Sequence, residues 1–186
     1  MPHLKPDGTD WVNAAFIVHP REPKVLLVRH KKLGTLLPVG GHIELDAADD
    51  SPDAALFREV REETGLEIGN GPFLVGASGD AFVYQTRDQI EHAERCRHLD
   101  PVENNQAVQH WIPWALETHL FPPVPGHKHL CLVYLVYALT DRLKLEEDAH
   151  DSIGWFSMAD LTDPANKVRS KIQAYGMRAI MHRYPR

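Results

Sequence analysis

The segment between Ser51 and Gly65 constrains the fold more than any other part of the sequence, because it marks both ends of one helix. Ser51 can act as the N-cap, Pro52 suits the first helical position, and Gly65 suits the residue just past the last turn. The spacing therefore predicts a helix over residues 52–64. One stripe of this helix can pack on a sheet; it consists of Leu56, Phe57, Val60 and Thr64.

Strands are predicted on both sides of this helix, from runs rich in β-branched and apolar residues. Residues 12–18 and 24–29 are expected to form a hairpin, and residues 130–139 a central strand buried on both faces. Weaker strand patterns lie at 73–77, 80–84, 115–121 and 152–156. A last helix is expected to open at Asp163 and Pro164, with an apolar face formed by Val168, Ile172, Tyr175 and Ala179. This order predicts a mixed α/β domain.

The composition favours one ordinary globular domain over residues 1–186, of which 43% are hydrophobic. A formal net charge of −6 argues against a broad nucleic-acid-binding surface. The two cysteines cannot form a disulfide framework, and the amino terminus has no apolar signal stretch. The longest apolar run is far shorter than the roughly 20 residues of a membrane-spanning helix. We therefore expect a cytoplasmic protein without a membrane segment.

Three carboxylates of the predicted helix, Glu59, Glu62 and Glu63, fall within an arc of about 100°. Like charges at this spacing cost roughly 0.2–0.5 kcal/mol per pair, and the carboxyl-terminal half of a helix disfavours negative charge. A bound divalent cation would reverse both effects, and oxygen ligands favour Mg²⁺ or Mn²⁺. The alternative is a solvated acidic face neutralised by Arg58 and Arg61.

The surroundings of these carboxylates resemble the signature of a known family. Gly40 and Gly41 lie upstream, and residues 58–66 read Arg-Glu-Val-Arg-Glu-Glu-Thr-Gly-Leu. This resembles the Nudix box, G-x5-E-x7-R-E-U-x-E-E-x-G-U, in which U is a bulky apolar residue. Gly41 takes the first position and residues 58–66 fill the last nine without mismatch. The lead-in at residues 37–44 is also similar to that of the family.

The sequence departs from the box at its first acidic position. Asp50, which is separated from Arg58 by the seven residues that the pattern requires, stands where the family has glutamate. Eight residues separate Gly41 from Asp50 instead of five, so the loop carries a three-residue insertion. Glu44 fits the spacing from neither end. The helical half of the box is intact.

The resemblance implies an α/β/α sandwich around a mixed sheet, and hydrolysis of a nucleoside diphosphate linked to another moiety. It implies that Glu59, Glu62 and Glu63 hold Mg²⁺ or Mn²⁺, with the Gly41 carbonyl as a further ligand. Arg58 would orient a glutamate through a bidentate contact. Loops within residues 85–129 would read the substrate, which is expected to be a small molecule, and the same segment could cover a partner in a homodimer.

A proton acceptor for the attacking water is also expected. Glu62 could serve within the box. Other candidates stand in the loop after the long strand, where a solvated loop is the alternative: Glu146, Glu147, Asp148 and His150.

Candidate substrate contacts are Arg29, His42, Tyr84, His127 and His129. Arg29 belongs to a basic run that could attract phosphates or be solvated, and His42 follows the diglycine. His127 and His129 alternate on an extended stretch and could face a phosphate or a metal. For these two, an exposed loop is the favoured interpretation.

Two other functions share the family's fold. A Nudix-like nucleotide sensor without turnover would fit the altered loop around Asp50, although the box glutamates are intact. An isopentenyl-diphosphate isomerase would need a catalytic cysteine in a histidine-rich setting, and neither Cys96 nor Cys131 has one. The substrate itself has no transferable code in the sequence.

Overall fold

The computed structural model describes residues 8–44, 49, 52–68, 115–120 and 125–185. The strands are β1 (Thr9–Val18), β2 (Lys24–His30), β3 (Thr35–Leu37), β4 (Ala115–Leu120), β5 (Lys128–Tyr137) and β6 (His150–Ser157). The helices are α1 (Pro52–Thr64), α2 (Met158–Thr162) and α3 (Ser170–Arg183), with a 3₁₀ turn at Pro164–Asn166. The predictions at 73–77, 80–84, Ser51 and Tyr84 lie outside the described residues.

The strands form one mixed sheet in the order β3-β2-β1-β5-β4, and β6 pairs with β2. β1 and β5 run parallel over their whole length, from Thr9 opposite Lys128 to Val18 opposite Tyr137. The other pairings between strands are antiparallel, including the β1–β2 hairpin. The prediction that the apolar run forms a central strand is confirmed, because β5 lies between β1 and β4.

Helices cover both faces of the sheet. Leu56 and Val60 of α1 pack with Ile17, Leu26 and Tyr134 on one face. The other face is covered by α2 and α3 through a second group of buried residues, which includes Leu161, Ile172, Ala179 and Ile180. The protein is therefore an α/β/α sandwich around a mixed sheet, as expected. Among the helices of the described segments, none is long and apolar enough to cross a membrane.

The structure corrects the sequence prediction at three elements. β3 lies in a stretch expected to be a loop. α2 was not predicted, although Ser157 and Asp160 form a capping box at its start. The last helix begins at Ser170 rather than at Asp163. Asp163 ends α2 and caps the start of the 3₁₀ turn, and Lys167, in the left-handed conformation, ends that turn.

Candidate active site

The diglycine that precedes α1 runs against β1 and against the carboxylates. The backbone amide of Asn13 donates a hydrogen bond to the Gly41 carbonyl (2.8 Å). Gly40 has a φ of +150°, and a Cβ there would overlap the Asn13 carbonyl. A Cβ on Gly41 would overlap the Glu59 carboxylate. Glycine is therefore required at position 40, whereas a side chain at position 41 would displace the Glu59 carboxylate.

Glu63 is the most enclosed of the three carboxylates, with 7% of its surface exposed. Its Oε2 accepts a hydrogen bond from the Gly40 amide (3.1 Å), and its Oε1 lies 2.9 Å from Nε2 of His150. Glu62, in contrast, is 54% exposed along its side chain. Glu63 is thus fixed from two sides, whereas Glu62 faces solvent.

Burial raises the pKa of Glu59 to about 7. The positive charge of Arg58 opposes this shift, and the negative charge of Glu63 adds to it. Without a cation, this carboxylate is therefore close to half protonated near neutral pH. A divalent ion bound between Glu59 and Glu63 would favour the ionised carboxylate and so offset both burial and the charge of Glu63.

Arg58 connects the carboxylates to the loop. Its Nε and Nη2 each lie 2.9 Å from one oxygen of Asp49, and its Nη1 donates to Glu59 (2.8 Å) and Glu62 (3.2 Å). Nη2 also donates to the His42 carbonyl (3.2 Å). The bidentate contact expected with a glutamate is therefore made with Asp49, which the sequence analysis did not single out. Arg58 lowers the pKa of Asp49 through these hydrogen bonds.

The loop after β5 is attached to the end of α1. Amides of Lys144 and Glu146 donate to the carbonyls of Thr64 (2.8 Å) and Glu63 (3.3 Å), which a helix end leaves without intrahelical partners. This attachment places one ligand-type atom each from Glu63, Glu146 and His150 within 4.8 Å of one another. Of the proton-acceptor candidates in this loop, Glu146 and His150 therefore lie beside Glu63.

His150 is buried at the start of β6, and its surroundings favour the charged form. Burial lowers its pKa, but the hydrogen bond to Glu63 and the charges of Glu63 and Glu146 outweigh burial, so the pKa is raised. The ring of His30 lies edge-on to His150 at 5.8 Å between centroids. Burial, followed by the charge of His150, lowers the pKa of His30.

The other proton-acceptor candidates lie further out. Glu147 and Asp148 are exposed in a turn, and Lys31 donates to the Glu147 carbonyl. Arg29 donates to the Gly34 carbonyl (3.3 Å). Because neighbours on a strand point to opposite faces, His30 is the member of the basic run that reaches the site. The sequence alone does not show whether Arg29 or His30 faces the site, because that depends on the register of β2.

The structure contradicts the favoured interpretation that His127 and His129 lie in an exposed loop. His127 and His129 are 2% and 6% exposed, so they do not lie in an exposed loop. They lie beside Asp10 and His42. Asp10 was not among the predicted residues; its one signal in the sequence is its place at the start of an apolar strand.

A comparison with protein families decides the assignment. The family model described as NUDIX domain matches residues 10–175, which is most of the chain. The chain belongs to the Nudix hydrolase family. A search of curated protein sequences finds no significant match.

Solved Nudix structures share the fold. A hydrolase of the NUDIX family from Clostridium perfringens is 24% identical, with a TM-score of 0.63 over 92% of this chain and 95% of that one. A MutT NUDIX hydrolase from Burkholderia pseudomallei is 18% identical, with a TM-score of 0.54 over 92% and 97%. A UDP-X diphosphatase is 15% identical, with a TM-score of 0.53 over 95% of this chain and 64% of that one.

The Nudix box of this chain differs from the family pattern only around its inserted loop. Asp49 is 4% exposed, and its carboxylate also accepts a hydrogen bond from the Glu44 amide (2.9 Å). Asp49 is thus the acidic residue of the loop that contacts the box arginine, one position before the residue indicated by counting. Asp50 itself lies outside the described residues.

Cys131 gives no support to an isomerase with a catalytic cysteine. Its thiol is 4% exposed, and burial raises its pKa to about 12. It packs in the core on the face opposite α1. Since the thiolate is the reactive form, Cys131 is unsuited to acid–base or nucleophilic work at neutral pH.

Proposed function

We propose that this Nudix protein uses Mg²⁺ or Mn²⁺ to hydrolyse the diphosphate bond of a nucleoside diphosphate linked to another moiety. The observation that carries the proposal is the pair of enclosed carboxylates, Glu59 and Glu63, held between the diglycine and the loop of His150. On a solvated acidic face, two neighbouring carboxylates of one helix would both be exposed to water.

The donor set fits a hard divalent cation. Glu59, Glu62 and Glu63 would hold it through carboxylate oxygens, with the Gly41 carbonyl as a further candidate, although that carbonyl also accepts the Asn13 amide. The raised pKa of Glu59 supports the fit, because a cation would offset the cost of burying this charge and its repulsion by Glu63. When bound, such ions neutralise diphosphate oxygens and lower the pKa of water.

The remaining roles belong to the residues of this chain. Arg58 holds Glu59 and Glu62 in place while Asp49 fixes the guanidinium. For the proton acceptor we favour Glu146, which lies beside Glu63 and His150. His150 is the neighbouring alternative, but its surroundings favour the charged form, which cannot accept a proton. Glu147 and Asp148 are weaker candidates because they are exposed. His30 is placed to contact an anionic substrate near His150.

A substrate panel tests the proposal. Nucleoside triphosphates, ADP-ribose, nucleotide sugars and dinucleoside polyphosphates would each be incubated with Mg²⁺ or with EDTA, and the products separated by chromatography. The structural neighbour named as a UDP-X diphosphatase supports including UDP-linked substrates. Metal-dependent cleavage of one diphosphate class is the expected result. Nucleotide binding without turnover on any substrate would instead identify a sensor.

A further inference from the structure

A second group of metal-ligand side chains lies outside the carboxylate site. Asp10 is on β1, His42 follows the diglycine, His127 precedes β5, and His129 is on β5. The parallel register sets Asp10 opposite His129, and an antiparallel bridge sets His42 opposite Val12. Three segments that are distant in sequence therefore bring four side chains together. We call them the histidine cluster.

The histidine cluster is close-packed and mostly enclosed. Asp10 Oδ2 lies 3.2 Å from Nε2 of His127 and 3.5 Å from Nε2 of His42. The ring of His129 lies edge-on to both, at 5.1 Å from the His127 centroid and 5.4 Å from the His42 centroid. Asp10 is 2% exposed, whereas the His42 side chain is 32% exposed. The cluster thus has one side open for entry.

The cluster and the box carboxylates lie on opposite faces of the sheet. Asp10 and Val12 share a face of β1, since they are two residues apart, and Val12 packs with the core under α3. The helix that carries Glu59 and Glu63 packs on the other face. Arg58 donates a hydrogen bond to the His42 carbonyl oxygen. The two groups can therefore bind separate ions.

We propose that the histidine cluster binds a divalent transition metal of the kind that imidazole ligands prefer, with Zn²⁺ the best fit. Three imidazoles and one carboxylate form a donor set for Zn²⁺, whereas Mg²⁺ prefers oxygen ligands. Ligand atoms on a tetrahedral zinc lie about 3.3 Å apart, given bonds of about 2.0–2.2 Å. The two distances from Asp10 Oδ2 match this separation. This proposal does not depend on the proposed hydrolase activity.

Metal binding requires the side chains to turn toward one centre. In the described parts of the chain, the group whose ligand-type atoms all lie within 4.8 Å of one another is Glu63, Glu146 and His150. In the histidine cluster no three such atoms meet that limit, so the rings of His42, His127 and His129 have to turn before their nitrogens face one centre. The partly exposed ring of His42 has room to follow.

The test measures zinc retained by tag-free protein. The protein would be loaded with Zn²⁺, passed through a desalting column in excess Mg²⁺, and analysed for zinc per chain. Excess Mg²⁺ occupies oxygen sites and leaves imidazole sites to zinc. We expect one zinc per chain in the wild type and in His150→Gln and His182→Gln, and loss of zinc in the double variant His127→Gln with His129→Gln.

A spectroscopic readout covers the case in which the double variant does not fold. Co²⁺ added to the wild type in excess Mg²⁺ should give the intense visible bands of four-coordinate cobalt. Weak six-coordinate bands, no retained zinc in the wild type, or zinc lost in His150→Gln but kept in the double variant would each overturn the proposal. The cluster would then be a hydrogen-bonded structural network, or the zinc would belong to the carboxylates.

Discussion

Glu62 is the residue at which the proposed chemistry is tested most directly, because it faces solvent and supports no packing. Glu62→Gln keeps the shape of the side chain and removes a negatively charged oxygen that we propose as a metal ligand. We expect kcat to fall by about 10²-fold or more, with unchanged circular dichroism and thermal midpoint. Glu67→Gln, a change of the same kind at an exposed residue after the box, is the control. Full activity in Glu62→Gln would refute the proposed role of Glu62 in metal-dependent hydrolysis.

Asp49 is the residue that sequence counting did not find. Asp49→Ala removes both hydrogen bonds to the Arg58 Nε and Nη2, so we expect a loss of about 2–3 kcal/mol in the free energy of unfolding. Because folding lowers the pKa of Asp49, its stabilisation is present at neutral pH and is lost as pH falls below the ordinary aspartate pKa of about 4.

Urea unfolding at pH 7 and at pH 3 measures this effect. The difference between wild type and Asp49→Ala should shrink at the lower pH, while the exposed control Asp148→Ala should match the wild type at both. Equal stability of Asp49→Ala and wild type at pH 7 would show that Arg58 is held by other contacts.

Single residues also mark the limit of what the sequence could predict. The spacing of the box placed Glu59, Glu62 and Glu63 on one side of α1, because helical geometry is fixed. The inserted loop has no such period, so counting indicated Asp50 and the contact is made by Asp49. The burial of His127 and His129 depends on Asp10, more than a hundred residues away in the sequence.

At the scale of elements, predictions succeeded where local chemistry marks both ends. α1 spans Pro52–Thr64 as predicted, and Gly65, at a φ of +66°, ends it. β3 was missed because three residues are too few for an alternation pattern. α2 was missed because it is short, although its capping box was present in the sequence as Ser157 followed by Asp160.

The capping box of α2 can be tested by Ser157→Ala. The Ser157 hydroxyl accepts a hydrogen bond from the Asp160 amide (3.2 Å), so its removal should cost about 1 kcal/mol in the free energy of unfolding. Because α2 buries Leu161 in the core, we expect α2 to unfold together with the rest of the domain, so the lost hydrogen bond lowers the global free energy of unfolding. Ser152→Ala, on the exposed part of β6, should change stability by less than about 0.5 kcal/mol. A neutral Ser157→Ala would mean that tertiary packing alone holds α2.

At the scale of the whole molecule, the sandwich supports a site that is unfavourable on its own. Both faces of the sheet are filled with apolar residues, and the enclosed carboxylates sit at one end of α1. Burial raises the pKa of Glu59, so in metal-free protein its ionisation opposes folding. That cost is absent below the unfolded pKa of about 4.3 and grows as pH rises toward about 7.

Glu59→Gln should therefore separate stability from metal binding. In EDTA we expect the variant to have a higher thermal midpoint than the wild type at pH 8, and a smaller difference of the same sign at pH 5. Saturating Mg²⁺ should raise the wild-type midpoint, by the equivalent of about 2.7 kcal/mol at 100 times the dissociation constant, and raise that of the variant much less. A variant less stable than the wild type in EDTA at pH 8 would mean that Arg58 more than offsets the burial of Glu59, and that the site needs no cation to hold it together.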